Sequence, residues 1–143
     1  MLVSQILREK GAEVATTPPD ALISDVVATL SAQGVGALVV SADGETIDGI
    51  ISERDVVRGL ADCGGRCLEQ FASQWMTADV VTTDPSATSE DLMEKMSAGR
   101  FRHVPVVADD VLAGIVSIGD IVKARVAELE TEREQLTDYI SGR

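Results

Sequence analysis

Gly49-Ile50-Ile51-Ser52-Glu53-Arg54-Asp55-Val56-Val57-Arg58 returns sixty-five positions later as Gly114-Ile115-Val116-Ser117-Ile118-Gly119-Asp120-Ile121-Val122-Lys123. Five of the ten positions are identical, and both copies keep an apolar run, a hydroxyl and a carboxylate three residues after it. One unit is therefore present twice. What the duplication holds constant is the outline of a small polar site as well as of a core.

Toward the N-terminus the correspondence continues at an offset of sixty-six: Val14, Thr16, Thr17, Pro19, Ala21, Asp25, Ser31, Ala32 and Val40 face Val80, Thr82, Thr83, Pro85, Ala87, Asp91, Ser97, Ala98 and Val106. The register slips by one residue between Ala42 and Gly49, as hairpin loops tolerate and strands do not. Asp43-Gly44 and Asp109-Asp110 are the expected turns. Each unit begins with a short extended run, Val14 to Thr16 or Val80 to Thr82, closed by a Pro-containing segment. There Asp20, Ser86 or Thr88 is placed to cap a following helix. Leu22, Val26, Val27 and Leu30 in one copy, and Leu92, Met93 and Met96 in the other, fall at helical spacing. The spacing predicts helices over about 21–33 and 88–98, ended by Gly34 and Gly99. Two β-branched runs follow in each copy, 35–41 with 47–51 and 101–107 with 111–116. Ser52 and Ser117 then open another helix.

The fold class expected is α+β, with mixed helix and sheet: two tandem β-α-β-β-α repeats packed with pseudo-two-fold symmetry, plus a long C-terminal helix. A unit of this size buries little surface alone, so the two repeats are expected to share a core with their sheets facing each other. The divisions are 1–68 for the first repeat, 69–126 for the second and 127–143 for a helical extension.

At 143 residues the chain suits one compact module, and with 45% apolar but 3% aromatic residues its core is aliphatic. No run of eighteen apolar residues exists, so no membrane span is expected. The N-terminus lacks a signal-peptide pattern, which points to the cytoplasm. Twelve basic against twenty-four acidic residues leave a net charge of −12, which opposes nucleic-acid binding. Cys63 and Cys67 read as a reducible pair, as half a metal site, or as two thiols in a flexible loop between the repeats; with a single His and no second Cys pair, four-ligand zinc is implausible from these thiols alone and the loop reading is preferred.

The Ser-x-x-Asp motif has two readings. As a capping box, the serine covers an orphan backbone N–H and the acid bonds back, with no ligand involved. As a binding site, the same helix N-terminus receives a phosphate on its free N–H groups while the carboxylate takes ribose hydroxyls. Its duplication favours the second reading without excluding the first. Cationic help is uneven: Arg54 and Arg58 lie in the first motif, whereas the second has Gly119 and relies on Arg100, Arg102 and His103 ahead of its strand. Each Arg is either a phosphate contact or a solvated surface charge. His103 either touches a phosphate or ends a strand. A Walker loop, a Ser/His/Asp or Cys/His constellation and a metal cluster are not evident in the sequence, so catalysis is not expected.

Tandem β-α-β-β-α units, each ending in Gly-hydrophobic-x-Ser-x-x-Asp, with Arg102-His103-Val104-Pro105-Val106-Val107 before the second, resemble a cystathionine-beta-synthase (CBS) domain pair, or Bateman module. The resemblance spans about 2–126. It implies a non-catalytic regulatory module that takes AMP, ADP, ATP, NAD(H) or S-adenosylmethionine in one or both clefts between the repeats. Position by position, it implies that Asp55 and Asp120 hold ribose hydroxyls. Ser52 and Ser117 would meet phosphate, helped by Arg54 or by Arg102 and His103. Thr16, Val80 and Thr82, with Ala37, Leu38, Val104 and Pro105, would line the adenine pockets, partly through backbone groups. Tighter binding is expected where Asp120 sits. A homodimer and an unidentified partner protein are further implications. The competing reading is a ligand-free scaffold.

The tail carries that competing reading. Val122, Val126, Leu129, Arg133, Leu136 and Ile140 are spaced four, three, four, three, four, a heptad seam interrupted only by Arg133. The helix either folds back on its own domain or serves as a contact for a second copy or a partner.

Overall fold

The computed structural model describes residues 1–142. Its elements are α1 (Val3–Lys10), β1 (Thr16–Thr17), α2 (Ile23–Gln33), β2 (Ala37–Val40), β3 (Gly49–Ser52), α3 (Glu53–Cys63), a 3-10 turn (Gly65–Glu69), α4 (Ala72–Trp75), α5 (Ser89–Gly99), β4 (His103–Ala108), β5 (Val111–Ser117) and α6 (Ile118–Ile140). The α+β class and the tandem arrangement are as expected. In the first repeat β1-β2-β3 form one sheet, β1 parallel and β3 antiparallel to β2. In the second, β4 and β5 pair antiparallel, and the counterpart of β1 is reduced to one parallel bridge from Thr83 to Val106.

The duplicated register is preserved in pairing: Val40 lies opposite Gly49 and Val106 opposite Gly114. The one-residue slip falls between them, in the β2–β3 loop. The β4–β5 turn is two residues long, with Asp109 and Asp110 at φ 52° and 61°. Positive φ at both central positions matches the twist of the flanking strands, and Asp tolerates it better than most residues.

Two capping expectations need correction. Thr88 caps α5 by accepting from Asp91 N, but α2 begins at Leu22 without a side-chain cap, so Asp20 has no such role. The α5 C-cap is Arg100, in the left-handed region at φ 56°, rather than Gly99. Gly99 has its own constraint, because a Cβ there would run into the Phe101 ring.

The single shared core is also corrected. Buried side chains form two clusters, one per repeat: Ile23, Val26, Leu30, Leu38, Val40, Ile51, Val56 and Ala72 in the first, and Val3, Ile6, Leu92, Met96, Val104, Val106, Val116, Ile121 and Ala124 in the second. Each cluster takes its last helix from across the molecule. Val3 and Ile6 of α1 complete the second core, and Ala72 of α4 completes the first. The docking hydrogen bonds are the same in both places. Val3 N and Ser4 N donate to Ala87 O and Pro85 O, just as Ala72 N and Ser73 N donate to Ala21 O and Pro19 O. Exchange of short helices is therefore what joins the two units. All four β2 residues are buried, so both faces of that strand are covered. Leu112 N also donates to Glu45 O between the two hairpins.

Cys63 and Cys67 are joined in a disulfide rather than free in a loop. Helix α3 runs through Cys63, Gly64 turns the chain at φ 82°, and the 3-10 turn brings the two Cα atoms to 5.9 Å.

Candidate functional site between the repeats

At both Ser-x-x-Asp motifs a strand stops and a helix starts at the serine, because its side chain accepts from the N–H that the first helical turn leaves unpaired. Asp55 N donates to Ser52 Oγ at 3.3 Å, and Asp55 Oδ2 accepts from Ser52 N at 2.8 Å and from Ser52 Oγ at 3.0 Å. At Ser117 and Asp120 the three distances are identical. The capping-box reading is therefore correct for both. Thr88 and Asp91 form a third such box on α5, so the box by itself does not distinguish a site.

The surroundings do. Around the start of α3 lies a cleft of about 330 Å³ lined by Ile50, Ser52, Glu53, Arg54, Asp55, Arg58 and Thr77 from one side and by Gly99 to His103 from the other. Four of the chain's twelve Lys and Arg residues, Arg54, Arg58, Arg100 and Arg102, border it, in a protein of net charge −12. None of the four forms an ion pair among the described residues. With the positive end of the α3 dipole they make a site suited to a multiply charged anion. Ile50 and Phe101 supply apolar wall. Gly36 at the entry to β2 packs closely under the cleft: a Cβ there would lie 3.3 Å from the His103 ring, tight enough that the ring would have to shift.

His103 is half-buried and faces Glu53, Lys10, Asp120 and Arg102. Burial pushes its pKa below the ordinary histidine value, reinforced by Lys10 and Arg102 and opposed by Glu53 and Asp120. The shift favours the neutral ring, which offers one N–H donor and one acceptor nitrogen.

The second motif has a different cover. Lys10, at the end of α1, reaches Asp120 Oδ2 at 2.7 Å and Ile115 O at 2.7 Å. Burial raises the Asp120 pKa, but the Lys10 ammonium and the Ser117 amide and hydroxyl outweigh it, and the net shift is downward. Ile50, the counterpart of Ile115, instead exchanges both backbone hydrogen bonds with Thr77. Lys10 thus occupies, by side chain, a position filled in the first repeat by main chain.

Of the residues singled out in the sequence, Ser52, Arg54, Asp55, Arg102 and His103 converge on the cleft. Ser117 and Asp120 lie together under Lys10, outside its lining. Ala37, Leu38, Val104 and Pro105 are buried in their strands, with Leu38 and Val104 pointing into the separate cores. Thr16 is exposed, and Val80 and Thr82 are partly buried. The buried threonines are the next ones, Thr17 and Thr83, and Thr83 Oγ1 has no hydrogen-bond partner. Lys10, Gly36, Thr77 and Phe101 were not among the candidates. The signal for the α1 and α4 placements was present but at another offset: Leu2-Val3-Ser4-Gln5 and Phe71-Ala72-Ser73-Gln74 share Ser-Gln sixty-nine positions apart, and each Gln accepts from the N-cap amide, outside the sixty-six register of the rest.

Among the described residues no helix is long and apolar enough to cross a membrane. A model of the CBS domain matches residues 3–62 and 72–127. The CBS domain-containing protein CBSX3, mitochondrial, of Arabidopsis thaliana is 34% identical, over 98% of this chain and 72% of its own length. The crystal structure of the CBS-domain containing protein ATU1752 from Agrobacterium tumefaciens is similar with a TM-score of 0.85 and 47% identity, over 87% of this chain and 99% of that one. The CBS domain protein PAE2072 from Pyrobaculum aerophilum, solved in complex with AMP, has a TM-score of 0.78 and 28% identity, over 92% of this chain and 99% of its own.

Proposed function

The chain belongs to the CBS domain family through both of its repeats, and from that premise we propose that it is a non-catalytic regulatory module binding an adenine nucleotide in the cleft at the start of α3. The observation that carries the reading is the convergence of Arg54, Arg58, Arg100 and Arg102 on one capped helix N-terminus in an acidic chain. In this reading the phosphates sit among the arginines and the free N–H groups of α3. Asp55 accepts from the ribose, and Ile50 and Phe101 contact the base. A related protein solved with AMP supports an adenosine ligand. ADP, ATP, NAD(H) and S-adenosylmethionine belong to the same proposal, and a cytoplasmic location is part of it, although one relative's name places that protein in mitochondria.

The cleft is lined by both repeats, so an occupant bridging α3 and the Gly99–His103 segment favours one relative placement of the two. Differential affinity for that placement is the energy available to alter a dimer or a partner protein. This reading moves the stronger site to Asp55 from the Asp120 side expected of the sequence.

The test is a thermal-shift screen of the purified chain against AMP, ADP, ATP, NAD⁺, NADH and S-adenosylmethionine, with adenosine as the unphosphorylated control. A ligand at about 100 times its Kd adds about 2.7 kcal/mol. A rise with phosphorylated ligands, absent with adenosine and lost in Arg54→Ala and Arg102→Ala, supports the proposal. No rise with any compound sinks it and leaves the scaffold reading.

A further inference from the structure

We infer that the overhanging part of α6 pairs with the same segment of a second copy as a parallel, in-register two-stranded coiled coil. The inference goes beyond nucleotide binding and does not depend on it.

Helix α6 has two faces with different duties. Ile121 and Ala124 are buried in the second core, and Glu128 takes the Met1 ammonium and Arg125. From Leu129 to Ile140 every residue is exposed, and the side-chain hydrogen bonds along this stretch run back into the same helix. The module thus lends the last three turns no packing. A helical segment of that length is marginal in water on propensity alone and needs its apolar stripe covered. The stripe is Val122, Val126, Leu129, Leu136 and Ile140, 48–76% exposed.

The identity of those residues specifies the cover. The spacing puts Val122, Leu129 and Leu136 at d positions and Val126, Arg133 and Ile140 at a positions. β-Branched residues at a with Leu at d favour two parallel strands, and one polar a residue fixes register at a cost in stability. Arg133 is that residue, flanked by Glu132 and Glu134. The flanking charges fix direction. In a parallel pair Arg125, at g, lies against the partner's Glu130, at e, and the contact occurs twice. An overlapped antiparallel pair would set Glu130 against the partner's Glu130 and Glu132 against the partner's Glu132. The parallel pair also sets Arg133 beside the partner's Arg133, a like-charge contact that the partner's Glu132 at the neighbouring g position offsets, so the two Arg125–Glu130 contacts decide for a second copy in parallel orientation.

Sedimentation equilibrium of the full chain tests the pairing, with Leu129→Asp and Leu136→Asp as variants at exposed positions whose circular dichroism checks that the module stays folded. The expected result is a dimer whose dissociation constant rises at least roughly tenfold in each variant and falls about tenfold in Arg133→Leu. A parent that stays monomeric up to millimolar concentration, or a dimer that the two Asp substitutions leave unchanged, overturns the inference. Direction is read from Leu136→Cys after mild oxidation, with the parent as control for its own cysteines. Parallel strands give a covalent dimer; a dimer that does not cross-link overturns the parallel arrangement.

Discussion

The starts of α3 and α6 carry the same capping box to within 0.1 Å, yet one opens into an arginine-bordered cleft and the other lies beneath a lysine. The difference arises outside the motif. In the first repeat the chain after α4 runs beside β3, and Thr77 pairs with Ile50 through the backbone, leaving Asp55 uncovered. In the second, α1 starts as α4 does but runs on a turn further, eight residues against four, and its last residue is a lysine long enough to reach both Ile115 O and Asp120. Duplicated local structure thus need not mean duplicated function, because an exchanged helix decides what charge faces each copy.

The largest expected effect compares the two carboxylates directly. Asp55→Ala and Asp120→Ala both lose a capping box, and Asp120→Ala loses the Lys10 pair as well, so a larger loss of binding in Asp55→Ala reports the ligand. Calorimetric titration with AMP should show a loss of about 1.5–3 kcal/mol, roughly ten- to a hundredfold in Kd, for Asp55→Ala. Asp120→Ala should bind within about twofold of the parent. Equal losses would erase the distinction drawn between the sites.

Next in size is the packing of the exchanged helices. A Cβ on Gly49 would strike Met76 and lie 2.8 Å from Thr77 O, whereas the nearest atoms to a Cβ on Gly114 all belong to the Leu7 side chain, at 2.7 Å and beyond. Backbone yields less easily than the end of a leucine. Gly49→Ala should lose about 1–3 kcal/mol in urea unfolding, and Gly114→Ala less. The reverse order would mean that α1 is held more rigidly than α4.

Lys10→Ala should change stability by no more than about 1 kcal/mol, since the Lys10–Asp120 pair is partly solvated. Its sharper consequence is for binding: with Asp120 uncovered, the titration should show a second, weaker binding event. Unchanged stoichiometry would show that the missing arginines, and not the lysine, silence the second motif.

The smallest effect is that of pH. Because burial lowers the His103 pKa in the folded chain, the unfolded chain takes up that proton first as pH falls. The contribution is intact above about pH 6.5 and declines below it. Urea midpoints for the ligand-free protein should therefore fall between pH 7.5 and 5.5, and fall less in His103→Gln. An equal fall in both would place the proton elsewhere.

From sequence alone the duplication, the α-β-β-α run of each repeat and both Ser-x-x-Asp helix starts were legible, because each depends on residues close together in the chain and repeated at a fixed offset; α1 and α4 were not expected, and the first strand of the second repeat is reduced to one bridge. Asp55, Ser52, Arg54, Arg102 and His103 could be singled out for the same reason. The two separate cores, the exchange of α1 and α4, the disulfide and the lysine over Asp120 were not, since each is settled by which segments pack together rather than by any pattern within one segment. Lys10 and Asp120 are 110 positions apart, and no periodicity relates them. Local motifs determined what each site contains, and tertiary packing decided which of the two is open.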